Sequence, residues 1–221
     1  MTRDELVVYT KNLIDEVSPI NGFGQDINEE DIKITDFEGD KPIDDFIEAL
    51  LDESGDEAQL LAPTHMVGYV SANMSDMSVI SDYERRSFVG EFEKPNTFLK
   101  LARARLGSWE RSVTYTLKEG EVGSDIQSNI YLRGGVAKPK IVEERDYLYL
   151  YPAFEEDITD TSSKIEYVAR VPAERVSTGL QNILCWLCAG RVYGRVGNPS
   201  AEKECREMAS ALLKELERKI I

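Results

Sequence analysis

The N-terminal stretch of the chain carries apolar residues at helical spacing. Thr2 and Glu5 are placed as a capping box at its start, and Ser18-Pro19 marks its end. The apolar positions are Leu6, Tyr9, Leu13 and Val17. This pattern predicts an amphipathic helix that buries one face.

A second amphipathic helix is predicted to begin at Pro42 and to end at Ala62-Pro63. Its apolar face consists of Ile43, Phe46, Ile47, Leu50, Leu51, Ala58 and Leu61. Gly55 falls off this face. The pattern therefore leaves open whether the helix continues through Gly55 or breaks there.

The middle of the chain changes to the period of two that is typical of strands. Short runs rich in Val, Ile, Tyr and Phe are separated by Gly, Pro or charged residues, which predicts an antiparallel β region over 79–171. The runs are "SFVGEF", "TFLKLARARL", "RSVTYTL", "PKIVEER", "YLYLYP" and "KIEYVARVP". Arg145-Asp146 is a predicted tight hairpin, and residues 123–135 are a candidate short helix within the region.

Helical spacing returns after Pro172. One helix is predicted over 173–194, and a last helix follows with Asn198 as its N-cap and Pro199 as its first residue. The last helix is amphipathic, with an apolar face of Ala201, Cys205, Met208, Leu212, Leu216 and Ile220. The terminal pair forms a predicted helical hairpin.

The order of elements predicts the α+β class, with N-terminal helices, a central antiparallel β region and a C-terminal helical hairpin. We expect a helical and acidic segment over 1–78, the β region over 79–171 and the hairpin over 172–221. The hairpin is expected to pack against the N-terminal helices, so that the chain forms one folded unit with a β insertion.

Cys185 and Cys188 form a Cys-x-x-Cys pair in the middle of the penultimate helix. A redox pair of this kind normally starts a helix, where the dipole lowers the thiol pKa. A zinc site would need two more ligands, and Cys205 and His65 are the only spare Cys and His residues. We therefore interpret the pair as small apolar packing residues; a redox or metal role is the alternative.

The penultimate helix is apolar on nearly every side and carries three glycines close together, Gly179, Gly190 and Gly194. Each glycine costs about 1 kcal/mol in a helix interior, which indicates close approach of another backbone. An intrachain neighbour and a second subunit both fit this pattern. Trp109 is likewise either a core anchor or an interface anchor. The candidate subunit interface consists of Gly179, Ile183, Trp186, Gly190 and Trp109.

The charge balance disfavours broad nucleic-acid binding. The chain has 26 basic and 41 acidic residues, a net charge of −15, with acid concentrated between Asp26 and Glu57. A protein that grips DNA phosphates needs the opposite sign. The acid is either a solvated surface or one that repels DNA or docks a basic partner. The charged N-terminus, the few cysteines and the lack of a long apolar run predict a soluble, cytosolic chain without a signal peptide or membrane span.

No constellation of reactive residues stands out in the sequence. The one histidine, His65, follows "LLAPT", and no serine has a nucleophile context. No catalytic, cofactor or metal site is therefore predicted. If the chain were nevertheless an enzyme, an acidic pair such as Glu143 and Glu155 would be the candidate for hydrolysis of cell-wall glycans.

Six segments between residues 43 and 219 form a recognisable series: "IEALLDESGDEAQLLAP", "EKPNTFLKLARARLGSWERSV", "KPKI", "YVARVP", "LQNILCWLCAGRVYG" and "SAEKECREMASALLKEL". Taken together, and in this order, they resemble the ring, or head-to-tail connector, proteins of crAss-like phages and related prophages of Bacteroides. The resemblance lies in the order of the elements. Thr97 stands where the family has Asp in its Pro-x-Asp-Phe-Leu-Arg motif.

This resemblance implies a non-enzymatic virion protein. Family members form dodecameric rings below the portal in the phage neck. We therefore expect a homo-oligomeric ring that binds the portal protein and other neck or tail rings, takes no cofactor, and lets double-stranded DNA pass without specific binding. The expected location is the virion neck, after assembly in the host cytoplasm. A monomeric acidic adaptor or DNA mimic is the second hypothesis, and a cell-wall hydrolase the third.

Overall fold

The structure is a computed structural model, and it describes residues 1–20, 43–82, 87–127, 132 and 134–220. The chain divides into two compact units, a helical unit of Met1–Val67 with Val171–Ile221 and a β unit of Gly68–Arg170. Residues 21–42, which include the first half of the acidic stretch, lie outside the described residues, as does much of the second half of the candidate helix over 123–135.

Six helices and eight strands occur within the described ranges. The helices are α1 (Arg3–Ile20), α2 (Ile43–Leu61), α3 (Val122–Gln127), α4 (Glu155–Thr159), α5 (Thr178–Arg195) and α6 (Pro199–Ile220). The strands are β1 (Val70–Ser71), β2 (Met77–Asp82), β3 (Ser87–Glu93), β4 (Phe98–Arg105), β5 (Leu117–Lys118), β6 (Lys140–Glu143), β7 (Tyr147–Tyr151) and β8 (Lys164–Ala169). The α+β class is thereby confirmed, with N-terminal helices and a C-terminal helical hairpin.

The start of α1 is the predicted capping box. The backbone N–H of Thr2 donates to Glu5 Oε2 at 2.8 Å, and the backbone N–H of Glu5 donates to Thr2 Oγ1 at 3.3 Å. Both bonds satisfy helix N–H groups that lack an intrahelical acceptor. The buried face of α1 consists of Leu6, Thr10, Leu13, Ile14 and Val17.

Helix α2 runs unbroken through Gly55, and the prediction that Gly55 lies off the apolar face is wrong. Gly55 is buried, and a Cβ added there would meet Leu184 Cδ1 at 3.2 Å and Val176 Cγ2 at 3.3 Å. The absence of a side chain lets α2 approach α5 closely at this point. Leu61, which was predicted on the apolar face, is instead 52% exposed.

Helix α5 is the central helix of the helical unit and contacts α1, α2 and α6. It begins later than predicted, because residues 173–175 form a separate 3-10 turn. The N–H of Ala173 in that turn donates to Asp52 Oδ1 of α2 at 2.9 Å. The predicted cap of α6 is confirmed, since Asn198 Oδ1 accepts the N–H of Ala201 at 3.2 Å.

The β unit contains two sheets. One has the order β1-β8-β4 and the other β2-β3-β7-β6-β5. The predicted Arg145-Asp146 hairpin joins β6 to β7, and the N–H of Glu144 donates to Tyr147 O at 3.0 Å. The first strand begins at Val70, so residues 68–78 belong to this unit rather than to the N-terminal segment. Strand β1, which pairs with β8, is only two residues long, and both residues are exposed. It is therefore too short to show an alternating pattern in the sequence.

Two features of the β region differ from the prediction. Strands β5 and β6 pair in parallel, whereas the region was predicted to be antiparallel. The run "RSVTYTL" forms only an isolated bridge, between Val113 and Ala104, before the short β5. Val113 is buried while Thr114 and Tyr115 are both exposed, so the segment lacks the alternation of a half-buried strand.

Candidate assembly and channel-facing surfaces

The five residues of the candidate subunit interface do not form one exposed surface. Ile183 is 1% exposed, and Gly190 is buried against α6, where an added Cβ would lie 3.3 Å from Cys205 Cβ and 3.5 Å from Glu202 O. The close approach at Gly190 is therefore made by an intrachain neighbour. Of the five residues, two remain available to another molecule, Gly179 and Trp186. Gly179 is exposed, with no atom within 4 Å of its Cβ position, and Trp186 is half-buried.

Extending the two helices from their contact at Gly190 brings the accessible part of α5 level with the C-terminal half of α6. The two helices are antiparallel, and Gly190 is level with Cys205. Since both helices rise about 1.5 Å per residue, Gly179 is level with Leu216. Leu212, Leu213 and Leu216 are each half-buried. We call this part of the surface, defined by Gly179, Trp186, Leu213 and Leu216, the hairpin patch.

Trp109 is a core residue of the β unit. It is 2% exposed and belongs to the hydrophobic cluster that contains Phe92, Leu148 and Leu150. Its indole Nε1–H donates to Pro152 O at 2.6 Å, so the polar end of the ring is satisfied within the chain. Trp109 is therefore placed away from any exposed contact surface.

The three cysteines are free and buried. Cys185 Sγ lies 3.9 Å from Leu6 O, and Cys188 Sγ lies 3.7 Å from Ile47 O. Burial raises the pKa of Cys185 to about 11 and the pKa of Cys188 to about 12. Because the thiolate is the reactive and metal-binding form, both side chains are in environments that suppress that chemistry. In the described part of the chain no group of three or more His, Cys, Asp or Glu is placed to hold a metal ion.

Glu143, one of the two carboxylates suggested for hydrolysis, is bound by cations. Its Oε2 accepts hydrogen bonds from Thr116 Oγ1 at 2.7 Å and from Lys118 Nζ at 2.6 Å, and Lys94 Nζ lies 3.5 Å from Oε1. Burial acts to raise the pKa of Glu143, but Lys118, Thr116 and Lys94 outweigh it and hold the pKa below its usual value. A general acid needs the opposite shift. Glu155 lies exposed in the first turn of α4.

Helix α2 presents an acidic outer surface. It contains seven carboxylates and no basic residue: Asp44, Asp45, Glu48, Asp52, Glu53, Asp56 and Glu57. Neighbouring helices supply the cations that pair with it. Arg3 binds Glu48 and Asp52, while Lys11 lies 3.4 Å from Asp44.

A chain of ion pairs ties α2 to the terminal hairpin. Arg191 donates to Glu53 at 2.7 Å and to Glu57 at 2.8 Å, and Arg206 donates to the other oxygen of Glu57 at 2.8 Å. Counting Arg3 and Lys11, these ion pairs bring four cations of the described residues to a helix with seven carboxylates, so the described charges of this surface sum to a negative value. The sequence contains these residues but gives no sign of their pairing, because they lie far apart along the chain.

None of the helices in the described ranges has the length and apolarity that a membrane span requires. His65 is exposed in the 3-10 turn of residues 64–66.

Comparison of the chain with protein-family models and with curated proteins found no match.

Proposed function

We propose that this protein is a structural virion component, a ring of the phage neck that extends the portal channel and docks the next tail protein. The observation that carries the proposal is the acidic outer surface of α2. A channel wall with this charge repels the phosphates of passing DNA, whereas a basic wall would hold DNA through counterion release. DNA would therefore pass without specific binding.

The chemistry of the described residues supports a role without catalysis. The thiols of Cys185 and Cys188 are buried in apolar surroundings with raised pKa values. Glu143 is held as an ion-paired carboxylate. We therefore propose that the protein is not an enzyme and needs no cofactor.

The partners we propose are further copies of the chain, the portal protein and neighbouring neck or tail rings. A ring uses a heterologous interface and closes when the rotation per subunit divides the circle, as twelve copies would. The hairpin patch is our candidate for one side of that interface, because it contains Gly179 and Trp186, the two predicted contact residues that remain accessible. The subunit stays monomeric alone if the portal supplies the first contact and raises the effective concentration for the rest.

The direct test is assembly on the portal protein of the same phage, followed by electron cryomicroscopy. A symmetric extra tier on the portal is the expected result. An unchanged portal, or density only at isolated off-axis sites, would contradict the ring.

The acidic wall is tested separately in assembled particles. Reversing charge on α2 with Asp45→Lys, at an exposed carboxylate outside the ion pairs described above, should leave the tier intact but slow DNA ejection. The matched control is Glu155→Lys, which makes the same charge change on the exposed surface of α4. Equal ejection rates for both variants would show that α2 does not face the DNA.

The acidic surface of α2 equally favours a second function, a monomeric adaptor or DNA mimic whose carboxylates occupy the basic site of a partner. Oligomeric mass in the presence of the portal separates the two. A single copy that competes with DNA for a basic protein supports the mimic, and a closed oligomer supports the ring.

A further inference from the structure

The side of the five-stranded sheet opposite Leu148 and Leu150 carries tyrosines at alternate positions of β7. Leu148 and Leu150 point into the core and are fully buried, whereas Tyr147, Tyr149 and Tyr151 are half-buried on the opposite side. The rings of Tyr147 and Tyr149 have centroids 6.1 Å apart and are inclined at 37°. Tyrosine is a residue type that protein interfaces favour, because it offers a large, rigid surface with a polar tip.

Glutamates stand directly beside these rings. Glu91 of β3 is the cross-strand partner of Tyr149, and Glu93 is the partner of Tyr147. On the other side of β7, the backbone of Glu144 bonds to Tyr147. Partners across a strand pair project to the same side of a sheet, so rings and carboxylates share one surface. We call this surface, defined by Tyr147, Tyr149, Glu91, Glu93 and Glu144, the tyrosine face.

Two lysines lie at the edge of the tyrosine face without pairing with its carboxylates: Lys94 Nζ donates to the backbone oxygen of Glu144 at 2.6 Å, and Lys140 is the cross-strand partner of Tyr151. Lys94 and Lys118 bind Glu143, which projects to the same side as Leu148. No described Lys or Arg forms an ion pair with Glu91, Glu93 or Glu144. Burial, and then the charges of Glu119 and Glu91, raise the pKa of Glu144. Burial, and then Glu144 and Glu91, raise the pKa of Tyr149 as well.

A cation already lies on a tyrosine at the edge of this same side of the sheet, because Lys140 is the cross-strand partner of Tyr151. Lys140 Nζ lies 4.8 Å from the centroid of the Tyr115 ring and also contacts its hydroxyl. The side chain that best matches a ring beside a carboxylate is arginine, whose planar guanidinium stacks on aromatic rings and pairs with carboxylates at its edge. Lysine offers a compact charge without that plane.

We propose that the tyrosine face docks an extended, arginine-bearing segment of a partner protein. Tyr147 and Tyr149 are two residues apart on one strand, a separation of about 6.5–7 Å. Alternate side chains of an extended segment have the same spacing, so successive arginines at every second position meet successive pairs of ring and carboxylate. The proposal does not depend on whether the chain forms a ring.

The test uses two synthetic ten-residue peptides, one of alternating Ser and Arg and one of alternating Ser and Lys. Titration calorimetry at 0.15 M salt measures affinity, and amide shifts locate the peptide on the β unit. We expect the arginine peptide to bind several-fold more tightly than the lysine peptide, with shifts centred on β3 and β7. Equal affinity, or no binding at this salt, would overturn the proposal.

Matched variants separate the tyrosine face from general attraction to an acidic protein. Glu91→Gln with Glu144→Gln should weaken arginine-peptide binding about tenfold, while Glu155→Gln with Glu156→Gln, an equal charge change on α4, should have little effect. Tyr147→Thr with Tyr149→Thr should also weaken binding at unchanged charge, and Tyr149→Phe should retain it. Circular dichroism confirms that each variant is folded.

Two results would contradict the assignment. Equal weakening by both glutamine pairs would mean that diffuse charge attracts the peptide. If the amide signals of β3 and β7 shift with protein concentration in the absence of peptide, the tyrosine face binds a second copy of the chain instead.

Discussion

The indole of Trp109 donates a hydrogen bond to the carbonyl oxygen of Pro152 at 2.6 Å inside the core of the β unit. The bond joins the loop after β4 to the end of β7. It satisfies both polar groups at a point where each is buried. Trp109 is thereby an anchor for the fold of this unit.

The first prediction concerns this bond. Trp109→Phe removes the donor, leaves Pro152 O without its partner and opens a small cavity, so the free energy of unfolding should fall by about 2–4 kcal/mol. Urea denaturation monitored by circular dichroism measures the change. Because Trp109 is buried, assembly on the portal should persist below the new melting temperature; loss of assembly by Trp109→Phe while it is still folded would contradict this.

The second prediction is that Cys185 and Cys188 act only in packing. Replacing both with Ala should cost about 1–2 kcal/mol for lost volume and leave the fold intact. Stoichiometric zinc or a reversible thiol couple in the wild-type protein would show the opposite.

The same two thiols make stability depend on alkaline pH. Their folded pKa values, about 11 and about 12, lie above the ordinary value of 9.0. Above pH 9.0 the unfolded chain loses these protons while the folded chain keeps them, so stability falls as pH rises from there through the folded pKa values. The double Ala variant should lose less stability than wild type between pH 8 and pH 10.5, measured by urea denaturation; parallel curves would contradict burial of the thiols.

The third prediction compares two glycines of α5. At Gly190 an added Cβ meets Cys205 Cβ at 3.3 Å and the backbone oxygen of Glu202 at 3.5 Å, so α5 and α6 must move apart. Gly190→Ala should therefore lower the free energy of unfolding by about 1–2 kcal/mol despite the better helix propensity of Ala. Gly179→Ala is the control: its Cβ meets nothing within 4 Å, and Ala should raise stability by about 0.5 kcal/mol. A raised melting temperature for Gly190→Ala would contradict close packing there.

The fourth prediction contrasts two adjacent glutamates. Glu143 has a lowered pKa, so its contribution to stability is present above the ordinary carboxyl pKa and is lost as pH falls through its folded pKa. Glu143→Gln should lower stability at pH 7 by no more than about 1 kcal/mol, because solvent screens a half-buried pair, and should flatten the loss of stability in acid.

Glu144, by contrast, has a raised pKa, so its charged form is disfavoured in the fold. Glu144→Gln should leave stability at pH 7 unchanged or slightly higher. Urea denaturation at pH 3.5, 5 and 7 distinguishes the two variants. An equal loss of stability in both variants would show that Lys94 and Lys118 do not act selectively on Glu143.

Local patterns in the sequence predicted most elements of the fold. The capping box of Thr2 and Glu5, the Asn198 cap and the Arg145-Asp146 hairpin each depend on residues within a few positions of one another. The alternation of "YLYLYP" likewise predicted β7, since the period of two follows from strand geometry alone. The class of the fold followed from the order of these elements.

The contacts between distant residues could be decided only by the tertiary structure. The sequence of α5 predicted a helix that is apolar on nearly every side, but it left open whether the same chain or another chain covers it. The structure shows that α1, α2 and α6 contact α5. Gly55 was predicted to lie off the buried face because the apolar pattern is defined by side chains, and glycine has none. In the structure Leu184 and Val176 pack against Gly55 because it has no side chain. The ion pairs of Glu143 and the glutamates beside Tyr147 and Tyr149 depend on strand register. Register and helix neighbours are set by the packing of the whole chain, which no local spacing encodes.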